Sequence, residues 1–117
     1  MKPGAVFKCD FGPARGSEPD GSKRPAVVVS PSRFNSVLNT VIVIPFTTGR
    51  LVKDRKEAVC SFVPSGVGGL DEDSTAQANN IRVIDKTFLV EELKPLPEDF
   101  LDDVYAAVAE YLDLWGE

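Results

Sequence analysis

Apolar and polar residues alternate over residues 5–11: Ala5, Phe7, Cys9 and Phe11 fall on one face, Val6, Lys8 and Asp10 on the other. A period of two predicts a half-buried strand. Residues 25–30 contain Ala26-Val27-Val28-Val29 and predict a second strand. The most apolar stretch, residues 40–46, predicts a third, and Pro45 near its end points to an edge position or to the strand's exit. A fourth strand is expected over 58–64, weaker ones over 74–79 and 81–84, and a short last one over 90–93. Between them, residues 12–23 are rich in Gly, Pro, Ser and charge and read as a loop long enough to carry function. Residues 31–35 read as a helical turn, 47–57 as a polar basic loop, and 65–69 as a flexible turn. That turn lacks the Gly-Lys-Ser/Thr ending of a phosphate-binding P-loop.

One helix is expected, over 97–114. Pro97 suits its first position, and Glu98 and Asp99 suit the positive end of its dipole. Phe100, Leu101, Val104, Val108, Tyr111 and Leu112 recur at helical spacing as an apolar stripe that must pack on a sheet or on a second subunit. Short strands closed by one helix predict a mainly β fold, a small and strongly twisted barrel.

Composition narrows the picture. At 117 residues the chain fits one domain, 1–117, and 43% hydrophobic with 26% charged residues belongs to a folded, soluble protein. No apolar run approaches the ~20 residues of a membrane span, and no leader-type apolar segment opens the chain, so the expected location is the cytoplasm. Cys9 and Cys60 fall in strands and are expected to be small buried hydrophobes, reduced in a cytosol. There is no histidine, which excludes an imidazole base and the usual histidine-bearing zinc sites. The net charge of −5 hides an asymmetry. Residues 1–57 carry ten basic and five acidic side chains, residues 58–117 three basic and thirteen acidic. The basic half can supply a phosphate-binding face.

Two polar loops leave the ends of apolar strands. One holds Arg15, Gly16, Ser17, Glu18, Lys23 and Arg24; the other opens with Thr47-Thr48-Gly49-Arg50. If the second and third strands lie side by side, Arg24 and Thr47 approach one another. Arg15-Gly16-Ser17-Glu18, Lys23-Arg24-Pro25-Ala26-Val27-Val28-Val29-Ser30 and Thr40-Val41-Ile42-Val43-Ile44-Pro45-Phe46-Thr47-Thr48 resemble the N-terminal signature of the MazF/PemK/Kid toxins. Leu70-Asp71-Glu72-Asp73-Ser74, Ile81-Arg82-Val83-Ile84-Asp85-Lys86 and the closing helix resemble the family's second half, in the same order.

The resemblance implies an SH3-like β-barrel of the CcdB/PemK kind with a C-terminal helix, and a homodimer. It implies endoribonuclease activity on single-stranded RNA with no metal or other cofactor. The substrate's own 2′-hydroxyl attacks the adjacent phosphate. The implied partner is a cognate antitoxin with an acidic disordered segment, in a type II toxin–antitoxin system. Arg24 matches the family's catalytic Arg and Thr47 its catalytic Thr. A guanidinium is a permanent planar cation that holds two phosphate oxygens, and a hydroxyl donates to a phosphoryl oxygen. Glu18 matches a loop acid and is the candidate general base. The candidate RNA contacts are Arg15, Ser17, Lys23, Thr48, Arg50, Asn79 and Arg82. Arg82 is alternatively one half of a structural ion pair with Asp85. Phe46 is either a ring on which a base stacks or a core residue.

Some members carry an acid where this chain has Asn79, which cannot act as a base. Two competing readings exist. The ending Trp115-Gly116-Glu117 echoes the CcdB gyrase poisons of the same fold, and a non-catalytic relative acting as a binding module is the other.

Overall fold

The computed structural model describes residues 1–12, 23–48, 59–114 and 116. Within them lie β1 (Val6–Asp10), β2 (Lys23–Val28), β3 (Thr40–Thr47), β4 (Cys60–Val63), β5 (Ser74–Gln77), β6 (Arg82–Asp85) and β7 (Leu89–Glu92). Helix α1 (Ser32–Asn35) follows β2, and α2 (Glu98–Tyr111) follows β7. Short 3-10 turns lie at Val67–Gly69, Ala78–Asn80 and Lys86–Phe88. The strands pair antiparallel in the order β4-β5-β3-β2-β1-β7, with β6 also on β3. The architecture is the expected one, a mainly β, barrel-like sheet with a C-terminal helix.

Strand β3 organises this sheet. On one side it carries β2. On the other, its first half pairs with β6 from Thr40 to Val43, and its end pairs with β5 at Phe46 and Thr47. Pro45 sits where β3 passes from one neighbour to the other, so that side asks for no ladder hydrogen bond from it. The edge position expected from Pro45 is thus corrected: β3 is central, and the proline marks a change of partner near the strand's exit. Strand β2 begins at Lys23, earlier than its apolar run, because Lys23 and Arg24 pair with Asp10 and Cys9 of β1.

Each face of the sheet has its own core. Val6, Val27, Ile44, Phe46, Val63 and Ala76 pack with Val104, Ala107 and Val108 of α2. Cys9, Ala26, Val28, Val41 and Val43 pack on the other face, with Phe7, Phe11, Ile84 and Leu89 against them. β1 is therefore not half-buried as its alternation implied: Val6 and Cys9, on opposite faces, are both fully buried. β-Branched residues dominate both cores because they suit a pleated, buried surface.

Helix α2 starts just after Pro97, with Glu98 and Asp99 in its first turn. Its buried stripe is narrower than expected. Tyr111 and Leu112 are 48% and 49% exposed, while Ala107 and Ala109 are buried. Small side chains let the helix approach the sheet closely, and the helix stops as Asp113 turns to a φ of 57°. Tyr105 anchors it by donating from its hydroxyl to the Val29 carbonyl at 2.7 Å. Among the described residues, no helix is long and apolar enough to cross a membrane. Cys9 is a buried free thiol.

Candidate active site

The register of the sheet places the candidate residues. Cys9 lies opposite Arg24, and Thr47 lies opposite Thr75, which in turn lies opposite Phe62. Between β2 and β3, Ala26 faces Pro45, Val27 faces Ile44 and Val28 faces Val43. The same register carried two residues further sets Arg24 across from Thr47. Directly opposed residues in antiparallel strands project from one face. Arg24, Thr47 and Thr75 therefore form a polar row across three strands, continuing the face whose core holds Cys9, Ala26 and Val43.

Arg24 is half-buried, and its guanidinium carbon lies 5.9 Å from the centre of the Phe11 ring. The guanidinium of Arg82 lies 4.8 Å from the same ring. One aromatic ring thus accepts two cations, whose charges the ring's electron-rich face partly offsets. The Arg24 Nε is buried and has no hydrogen-bond partner among the described residues, and the same is true of the Thr75 Oγ1. Buried donors are nearly always paired. A cationic donor left open on a row with two hydroxyls is what an anionic oxygen would complete.

A cavity of about 420 Å³ opens at the ends of β2 and β3 and reaches Lys23, Arg24, Phe46, Thr47 and Thr48. It brings five of the candidates together. By strand alternation, however, Lys23, Phe46 and Thr48 come from the helix-side face, whereas Arg24 and Thr47 belong to the opposite one. The cavity therefore marks the strand ends, and the polar row marks the chemistry. A second hollow of about 350 Å³, on the Phe11 side, is lined by Phe11, Arg82, Val83 and Asp85 among others.

Other candidates fall differently. Phe46 is only 2% exposed and belongs to the helix-side core, so of its two readings the structure supports packing; its buried ring offers no surface for a base. Asn79 is exposed on the 3-10 turn after β5 and lines neither hollow. Arg82 is exposed; its Nε donates to the Asn80 carbonyl at 3.5 Å. It does not form the ion pair with Asp85: the Asp85 carboxylate accepts from the Thr87 amide, which holds it below the usual carboxylate range. Arg15, Ser17, Glu18 and Arg50 lie outside the described residues, as do most of both polar loops and Trp115.

Three features escaped the sequence reading. Phe11 was placed on the Cys9 face, but nothing showed that two guanidinium groups would share its ring. Asp71 and Glu72, seen only as part of a motif, line the cavity. Thr75 carries no signal by itself; only the pairing of β3 with β5 brings it beside Thr47.

The family described as PemK-like, MazF-like toxin of type II toxin-antitoxin system matches residues 2–112. The chain is 32% identical to an endoribonuclease, MazF9, of Mycobacterium tuberculosis, over 99% of each chain. It is 33% identical to the endoribonuclease MazF of Staphylococcus saprophyticus, over 92% of this chain and 88% of that one. Its fold superposes with a TM-score of 0.77 on an endoribonuclease solved in complex with its cognate antitoxin, from a mycobacterial species. That alignment covers 97% of this chain and 96% of the other at 22% identity. The chain thus belongs to the family of PemK-like, MazF-like toxins of type II toxin–antitoxin systems.

Proposed function

We propose that this toxin is a cytoplasmic, metal-independent endoribonuclease that cuts single-stranded RNA by in-line attack of the substrate's 2′-hydroxyl. The observation that carries the reading is that Arg24 and Thr47 line one cavity at the adjacent ends of β2 and β3, with the Arg24 Nε buried and without a partner among the described residues. Two relatives sharing about a third of its residues are endoribonucleases, which supports the activity.

The reaction asks little covalent chemistry of the protein. The 2′-oxygen forms a bond to phosphorus as the bond from phosphorus to the 5′-oxygen breaks. The 2′-hydroxyl proton passes to a base, for which Glu18 is our candidate, and the departing 5′-oxygen takes up a proton. The products are a 2′,3′-cyclic phosphate and a 5′-hydroxyl. Negative charge builds on the non-bridging oxygens, and a fixed cation with a fixed hydroxyl stabilises it without reorganising. Arg24 supplies the cation and Thr47 the hydroxyl. Arg82, whose guanidinium lies 4.8 Å from the centre of the Phe11 ring, supplies a second cation for a neighbouring phosphate. Lys23 and Thr48, exposed at the strand ends, are further contacts. The active form is a homodimer, held by a cognate antitoxin whose acidic segment competes with RNA for the basic face.

Arg24→Ala is expected to lower single-turnover cleavage of a long unstructured RNA about 1,000-fold, and Thr47→Val about 100-fold, with the far-ultraviolet circular dichroism unchanged. A folded Arg24→Ala protein that cleaves at the parent rate would sink the assignment.

A further inference from the structure

Thr75 is buried to 0% exposure at the β5 end of the polar row, and its Oγ1 has no partner among the described residues. A hydroxyl in that state is costly, and a valine of the same shape would remove the cost. Its strand partner is Thr47, directly opposite on β5. Residues so opposed have their Cβ atoms about 5 Å apart on one face, within reach for two threonine hydroxyls to hydrogen-bond. Thr47 lines the cavity, whereas Thr75 does not. The two residues thus stand side by side, Thr75 buried and Thr47 partly exposed.

We infer that Thr75 is a positioning residue for Thr47: in the RNA complex the Thr75 hydroxyl donates to the Thr47 Oγ1, and Thr47 donates its own proton to a non-bridging phosphate oxygen. A hydroxyl carries one proton and two lone pairs. A donor from the side opposite the phosphate therefore orients the Thr47 proton toward substrate. It also strengthens that bond, because chained hydrogen bonds polarise one another away from water. The other cavity hydroxyls have different surroundings: the Ser74 hydroxyl already donates to the Glu72 carbonyl at 2.9 Å, and Thr48 is exposed. Among the described residues, Thr75 alone combines complete burial, an open hydroxyl and cross-strand pairing with Thr47. The inference rests on the nuclease reading above.

The test compares full-length parent, Thr75→Val, Thr75→Ser, Thr47→Val and the Thr47→Val/Thr75→Val double variant in single-turnover cleavage of RNA, alongside thermal melts. Thr75→Val is expected to melt at or above the parent temperature, because it removes an unpaired buried hydroxyl. It is expected to lower the cleavage rate constant at saturating enzyme about five- to tenfold with the apparent affinity for RNA unchanged. Thr75→Ser keeps the hydroxyl and the rate. In the Thr47→Val background, Thr75→Val has no further effect, since the group through which it acts is gone. A Thr75→Val protein that cleaves at the parent rate overturns the inference, and so does a loss of the same size in both backgrounds. In both of those cases the parent still cuts RNA and the nuclease reading stands. A parent that does not cut overturns both.

Discussion

At the scale of single residues, burial sets the chemistry of the Cys9 thiol. Cys9 sits directly across from Arg24, yet desolvation pushes its thiol up to about 11 from the ordinary 9.0, so it is protonated and inert at neutral pH. A folded value above the unfolded one means that the neutral thiol stabilises the fold below pH 9 and that this contribution is lost as pH rises from 9 through about 11. Cys9 is therefore expected to resist alkylation at pH 8 in the native protein and to react once urea unfolds it. Peptide mapping after labelling checks this, and native modification at Cys9 would contradict it. Arg24 and Thr47 were legible only through the family motifs, because an arginine before a strand and a threonine at a strand end are ordinary. Thr75 was not legible, because a threonine in a strand looks the same whether its hydroxyl has a partner or not.

At the scale of elements, the strands were legible from alternation and β-branched runs, and the helix from its stripe and acidic first turn. What the pattern did not hold is pairing. Pro45 spoke for an edge only while the change of neighbour from β6 to β5 was unknown. The turn at 65–69 read as flexible, but Gly69 is built into the structure at a φ of +75°. A Cβ there would stand 2.9 Å from the Lys94 backbone nitrogen and 3.2 Å from the Leu93 Cβ. This turn sets Leu70, Asp71 and Glu72 at the cavity. Gly69→Ala combines a left-handed backbone with a backbone clash and is expected to cost at least about 1–2 kcal/mol, read as a lower urea midpoint. An unchanged midpoint would show that the chain segment carrying Leu93 and Lys94 yields freely.

At the scale of the whole molecule, the net charge of −5 argues against a polyanionic partner until its distribution is seen. The excess of basic residues lies in the half that holds β1, β2 and β3, the strands that carry Arg24 and Thr47. Much of the acidic excess lies on and around α2, away from the polar row. In the proposed reaction this sheet sets one cation, Arg24, and one hydroxyl, Thr47, at the ends of neighbouring strands. The lack of histidine agrees with the proposed reaction, in which the nucleophile belongs to the RNA. The most direct test is to incubate the purified protein with a long single-stranded RNA in excess EDTA and to identify the new ends. The account predicts cleavage leaving 5′-hydroxyl and 2′,3′-cyclic phosphate ends, abolished by Arg24→Ala. Intact RNA, or products with 5′-phosphate ends, would contradict it.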